Sequence, residues 1–143
     1  MIVSEVLAKK GGRVVTKRPN VTMAEIVSTL AREGVGAVVI SRTGKDVLGL
    51  IAERTVIQGL KNHGVDLLMM TAEQLMEPHP AVCRPDNRLR DLMRQMTSRR
   101  HRHVPVVDDG KLVGIISIGD VVKNRLDDLQ LESNVLRDVA AAH

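Results

Sequence analysis

A chain that carries the same segment twice has few ways to fold. Residues 36–59 read GAVVISRTGKDVLGLIAERTVIQG, and residues 103–124 read HVPVVDDGKLVGIISIGDVVKN. Each copy is an apolar run, a polar turn, a second apolar run with a glycine, and the start of a helix. Gly49 and Gly114 hold the same place, 114 − 49 = 65 residues apart. Pro19 and Pro85, 66 apart, each precede a helical pattern. A unit of roughly sixty residues buries little core alone, so the two copies are expected to share one domain. Function should then lie in the clefts between them.

The flanking segments give the order of elements. Residues 2–8 form an amphipathic helix that runs into Gly11-Gly12, and residues 13–16 form a short strand. Thr22 with Glu25 three residues on is a capping box, opening a helix with Ile26, Val27 and Leu30 inward that Gly34 ends. Strands at 35–40 and 47–51 are joined through Thr43-Gly44-Lys45, and a helix over 53–62 follows. Helical spacing predicts one linker helix over 65–76, stopped by Pro78 and Pro80. The second copy repeats the order: a strand at 81–83, a helix over 87–98, and strands at 104–107 and 112–116 around Asp109-Gly110. A last helix runs from residue 118 to about 141. The expected fold is α/β (α+β), with two pseudo-symmetric β-α-β-β-α repeats, residues 1–65 and 66–143, packed sheet to sheet. The long C-terminal helix exceeds what one small core covers. Its apolar stripe suits a partner helix, so a homodimer is expected.

Composition removes several functions. There is no Phe, Tyr or Trp, so Val, Leu, Ile and seven Met residues must fill the core. The same absence takes away the stacking platforms used for single-stranded nucleic acids. The apolar runs fall short of the ~20 residues of a membrane span, and no signal-peptide pattern opens the chain, which gives a cytoplasmic expectation. The single Cys83 makes no internal disulfide and fits a reducing compartment. Its neighbour Arg84 is thin support for a lowered thiol pKa. The formal net charge is +4, yet Arg84, Arg88, Arg90, Arg94, Arg99, Arg100 and Arg102 against Asp86 and Asp91 give 7 − 2 = +5 in one stretch. Such a surface suits phosphate, a nucleotide or a nucleic-acid backbone; it is equally the pattern of a solvated helix face.

The sharpest local signal is Gly114-Ile115-Ile116-Ser117-Ile118-Gly119-Asp120. A strand ends at Ser117, and Asp120 falls in the first turn of the next helix. Free backbone N–H groups and a hydroxyl there can hold phosphate, and a carboxylate can accept from both hydroxyls of a ribose. Ser and Asp are also ordinary capping residues. There is no Walker loop, no GxSxG elbow, no Gly-x-Gly-x-x-Gly after a strand and no carboxylate pair spaced for acid–base work, so an enzyme is not expected. His79, Cys83, His101 and His103 match no common zinc spacing, and no metal is expected.

Taken together, Arg102-His103-Val104-Pro105-Val106-Val107-Asp108, the Gly114–Asp120 run and the repeat resemble the CBS domain family, found as tandem pairs called Bateman modules. Cys83-Arg84-Pro85 and Lys17-Arg18-Pro19 resemble the family's leading strand-to-helix turn, so the resemblance spans nearly the whole chain. It implies a regulatory module that binds AMP, ADP, ATP or NAD(H), with S-adenosylmethionine a lesser candidate, and no catalytic cofactor. By position, Val82, Cys83, Val104, Pro105 and Ile115 would take the base, Asp120 the ribose, and Ser117, Arg102 and His103 the phosphate. The first copy departs from this pattern. Ala52 stands at the Ser position, Thr55 at the Asp position, and Val35-Gly36 replaces the basic pair. Thr16, Lys17, Ala37, Val38, Arg54 and Thr55 would form a weaker site, and Arg54 could reach a phosphate held by the second copy. The output would act through an unnamed effector in trans or through oligomeric state. A nucleic-acid-binding or purely structural dimerisation module is the alternative.

Overall fold

The computed structural model describes residues 1–142. From the N-terminus, α1 (Val3–Lys10) leads to β1 (Thr16–Lys17), α2 (Met23–Glu33), β2 (Ala37–Ile40), β3 (Gly49–Ala52) and α3 (Glu53–His63). A 3-10 helix (Gly64–Met69), the single-turn α4 (Ala72–Leu75) and β4 (Glu77–Pro78) form the link. The second copy supplies α5 (Leu89–Arg99), β5 (His103–Asp108), β6 (Lys111–Ser117) and α6 (Ile118–Ala141). The first sheet runs β1-β2-β3-β4, with β1 parallel to β2 and the other pairs antiparallel. In the second, β5 and β6 are antiparallel, and Cys83 bridges in parallel to Val106 where the first copy has β1. The β-α-β-β-α order therefore occurs twice.

Three expected elements are altered. The strand at 13–16 starts only at Thr16, and the one at 81–83 shrinks to the bridge at Cys83. Pro80 and Pro85 bracket that bridge, and neither can donate to a ladder. The linker is not one helix. Met70 is extended, and Thr71 accepts from the Gln74 N–H while the Gln74 side chain accepts from the Thr71 N–H at 2.9 Å. That reciprocal cap starts a new helix inside an apolar run whose spacing alone reads as continuous. At α2 only half the expected box forms: Thr22 accepts from the Glu25 N–H at 3.3 Å, but the Glu25 carboxylate turns to Lys17 Nζ at 3.1 Å.

The cores do not divide at residue 65. Met23, Ile26 and Leu30 of α2 pack with Val38, Ile40 and Ile51, together with Leu67 and Ala72 from the linker. Val3 and Val6 of α1 pack in the other core, with Leu89, Leu92, Met96, Val104, Val106, Ile116 and Val121. Each lead-in segment thus crosses to the opposite copy. The repeated glycine marks both crossings. A Cβ on Gly114 would lie 2.6 Å from Leu7 Cδ2, and one on Gly49 would lie 2.7 Å from Met76 Cγ and 2.9 Å from the Glu77 carbonyl oxygen. A third cluster joins the sheets face to face: Ala37, Val39 and Leu50 against Leu112 and Ile115. Every residue of β2 is buried, because alternate side chains serve the helix face and the inter-sheet face. On β6 one extra residue, Val113, intervenes between the pairs Val106–Gly114 and Val107–Leu112. This bulge shifts the alternation, so Leu112 shares the inter-sheet cluster with Ile115.

Candidate functional site

Strand register sets the correspondence between copies. His103 pairs with Ser117 as Ala37 pairs with Ala52, and Val104 with Ile116 as Val38 with Ile51. The counterparts of Arg102 and His103 are therefore Gly36 and Ala37, one residue later than the sequence alignment of Val35-Gly36 suggests. The eight-residue loop over 41–48, against a two-residue turn in the second copy, hides that offset.

At the head of α6, Ser117 Oγ accepts from the Asp120 N–H at 3.1 Å, and Asp120 Oδ2 accepts from the Ser117 N–H at 2.8 Å. The pair is a capping box, and it also fixes the carboxylate at the junction of β6 and α6. Lys10 Nζ, at the end of α1, donates to Asp120 Oδ2 at 2.6 Å and to the Ile115 carbonyl at 2.9 Å. Burial pushes the Asp120 carboxyl up, but the Lys10 ammonium and the Ser117 amide outweigh it and hold the group below the ordinary carboxylate range.

His103 reaches from the second copy to the first. A Cβ on Gly36 would lie 2.9 Å from His103 Nε2, so a side chain there would displace the ring, and Glu53 Oε1 is close to the same point. Burial lowers the His103 pKa, while the Glu53 and Asp120 carboxylates partly oppose it, so the ring is neutral near pH 7. Its buried Nδ1 has no hydrogen-bond partner, nor has Nδ1 of His101. A buried polar atom without a partner costs free energy unless something binds it. Arg102 is exposed at its side chain, and its carbonyl accepts from the Ile118 N–H at 2.8 Å.

The residues expected to take a base divide between faces. Ile115 belongs to the inter-sheet cluster, and Val82 is 44% exposed beside it in sequence to Cys83. Cys83 and Val104 instead point into the second core, so only their backbone can line the cleft. Pro105 is buried, and its carbonyl accepts from the Cys83 N–H at 2.9 Å. Burial also pushes the Cys83 thiol up to about 12, which leaves no thiolate.

The first-copy counterpart is poorer. Thr55 Oγ1 accepts from the Ala52 N–H at 3.2 Å, reproducing the cap but not the charge. Val38 is turned into its own core, whereas Ala37 faces the other sheet. Thr16 and Lys17 lie on β1, with Lys17 committed to Glu25, and Arg54 is exposed. Lys10, Gly36 and Glu53 were absent from the sequence-based site. A lysine in the last turn of a helix is commonplace, and nothing in the sequence places α1 on the second copy.

Two members of the arginine-rich stretch lie elsewhere. Arg88, Arg90 and Arg125 line a cavity of about 340 Å³ with Met1, Ile2, Leu89 and Asp128, none of them a cleft residue. Among the described residues, no three His, Cys, Asp or Glu side chains cluster to hold a metal, and no helix is long and apolar enough to cross a membrane.

The CBS domain family model matches residues 72–127. A CBS-domain containing protein from Agrobacterium tumefaciens is 38% identical, with 87% of this chain and 99% of that one covered and a TM-score of 0.84. The CBS domain-containing protein YhcV of Bacillus subtilis is 28% identical over 114 residues, 80% of each chain. The structure of CBSX2 in complex with AMP matches at 25% identity over 88% of this chain and 96% of that one, with a TM-score of 0.73. The first curated relatives include longer proteins, of which this chain spans 69%, 57% and 39%. With both copies built as β-α-β-β-α units and a full-length relative above thirty per cent identity, the chain belongs to the CBS-domain family.

Proposed function

We propose that this chain is a regulatory module, not an enzyme, whose two repeats together sense an adenosine-containing nucleotide (AMP, ADP, ATP or NAD(H)) in the cleft between them. The observation that carries the reading is the Asp120 carboxylate at the head of α6, beside a half-buried His103 whose Nδ1 is buried and unpaired and whose Nε2 side lies against Gly36 of the other copy. Asp120 accepts from ribose, the Ser117 hydroxyl and the Arg102 and His103 side chains meet phosphate, and the base enters along Val82, Pro105 and Ile115. The AMP complex of CBSX2 supports an adenine nucleotide. The CBS pair of protein MJ0100, similar in fold at 19% identity, is known with 5′-methylthioadenosine and S-adenosyl-L-methionine, so the latter stays among the ligands to test. The second cleft is the competent one, and the first, with Thr55 and Ala52, is weak or empty. A homodimer fits the exposed Ile57 on α3 and Val122 on α6, at positions 65 apart and so equivalent in the two copies. Signalling then passes through a partner in the cytoplasm or through the oligomer.

Calorimetric melting with AMP, ADP, ATP, NAD, NADH, S-adenosylmethionine and GMP tests this without aromatic fluorescence. A ligand at ~100 times its dissociation constant stabilises the fold by roughly 2.7 kcal/mol. No shift with any adenosine compound would favour the alternative, binding of a nucleic-acid backbone along Arg88, Arg90 and Arg125, which steep salt dependence would reveal.

A further inference from the structure

Lys10 is unlike the other cations of the chain. Its ammonium sits on Asp120 Oδ2 at 2.6 Å, the carboxylate that the nucleotide reading gives to ribose, and on the Ile115 carbonyl oxygen at 2.9 Å. Both side chains are partly sheltered, at 31% and 24% exposure. Oδ2 also accepts from the Ser117 N–H, so that oxygen already serves two donors. A carboxylate that grips both ribose hydroxyls needs both of its oxygens, and a charge-assisted contact outcompetes a neutral hydroxyl for one of them. The first copy has neither half of the device: Thr55 carries no charge, and the segment crossing that copy presents Leu75 and Met76.

We propose that Lys10 is an internal competitor for ribose, so that the last turn of α1 latches the second cleft and a bound nucleoside releases it. The proposal rests on the nucleotide reading of that cleft and adds its regulation. The body of α1 is held by Val3 and Val6 in the core and by Leu7 against Gly114. Its last turn has no such anchor. Ala8 and Lys9 are exposed, Lys10 is held only through its ammonium, and the helix ends at Gly11, with φ of 93°, followed by Gly12. Glycines there let the turn open without moving the anchored residues. The released segment is joined through residues 11–15 to β1 of the first copy, so opening the latch alters the lead-in to the opposite sheet.

Adenosine separates the latch from phosphate binding because it carries no charge. Its affinity and that of AMP are measured by titration calorimetry for the wild type, Lys10→Met and Lys10→Arg, with hydrogen exchange of residues 8–12 read alongside. Lys10→Met should tighten adenosine about three- to tenfold, since a larger fraction of the protein is then competent. Lys10→Arg, which keeps the cation, should stay near wild type. Adenosine should speed exchange of residues 8–12 in the wild type to the level Lys10→Met shows without ligand. Unchanged or weaker adenosine binding by Lys10→Met overturns the latch. Weaker AMP with unchanged adenosine overturns it too, and makes Lys10 a phosphate ligand. If the wild type binds and is insensitive to Lys10, only the latch falls; if no variant binds any adenosine compound, the nucleotide reading falls and takes the latch with it.

Discussion

The two copies share a backbone plan and differ at most positions of the proposed nucleotide site. Both place a glycine under a crossing segment, Gly49 under Met76 and Gly114 under Leu7. Both bury an isoleucine on the second hairpin strand, Ile51 and Ile116, with no exposed surface. The hairpins then part. The second copy turns on Asp109-Gly110, with φ of 51° and 74°, the left-handed pair a two-residue turn requires. The first uses the longer loop over 41–48. There the Asp46 carboxylate accepts from the Ser41 hydroxyl, the Arg42 and Thr43 N–H groups and the Thr43 hydroxyl. At the helix head the second copy has Ser117 and Asp120, the first Ala52 and Thr55. In the proposed reading the second copy holds the ligand and the first is its wall, with Gly36 and Glu53 opposite His103. The packing positions of the repeat are matched, whereas the positions of the proposed site differ.

The largest effect tests whether the halves are one folding unit. Ile51→Ala and Ile116→Ala each delete a fully buried side chain and should cost about 2–5 kcal/mol. Because α1 completes the second core and the linker completes the first, both variants should lower the same single calorimetric transition. Two separated transitions in Ile51→Ala would mean that the copies fold independently, and the shared-core account would fail.

Next comes the ligand itself. Asp120→Ala should weaken the preferred adenine nucleotide by about 1–3 kcal/mol, the range for a polar group left without its partner. Thr55→Ala should change binding far less, since its hydroxyl serves the cap of α3. Titration calorimetry on both variants decides, and equal effects would contradict the assignment of the competent cleft to the second copy.

Much of this was legible in the sequence, for identifiable reasons. The repeat, the order of elements, the Asp109-Gly110 turn and the Ser117–Asp120 pair all leave local signatures in composition and spacing. What stayed hidden depends on pairing at a distance. An amphipathic helix at residues 2–8 announces an apolar face without saying which core receives it, so its place on the second copy could not be read. Lys10 was hidden with it. The offset of Arg102-His103 against Gly36-Ala37 was masked by the unequal hairpin loops, and only strand register resolves it. The break in the linker was readable, because Thr71-Ala72-Glu73-Gln74 is a capping box, but the run of Leu and Met around it dominates the periodicity.

A smaller effect separates the copies by pH. The His103 pKa is lowered in the fold by burial, whereas its counterpart Ala37 does not titrate. Below about pH 6.5 the unfolded chain takes up a proton that the folded chain refuses, so stability falls as pH drops from that value toward the folded pKa. His103→Gln should flatten the dependence of melting temperature on pH between 7.5 and 5.5 by up to one proton's slope. An unchanged slope would show that His103 titrates alike in both states and is not confined by Gly36.

The smallest effect concerns the ends of α2 and α5. Gly34 closes α2 with φ of 63° and ψ of 36°, and Arg100, 66 residues on, closes α5 with φ of 56° and ψ of 33°. Glycine adopts this left-handed conformation freely, while a side chain strains it. Arg100→Gly should therefore stabilise the protein by about 0.5–1 kcal/mol, and Gly34→Ala should destabilise it by a similar amount. Among the described residues Arg100 has no carboxylate partner, so no lost ion pair offsets the gain. If Arg100→Gly stabilises the fold yet leaves nucleotide affinity unchanged, the strain at Arg100 has no role in the cleft. If stability rises while affinity falls, the Arg100 side chain contributes to nucleotide binding, a role its counterpart Gly34 cannot fill.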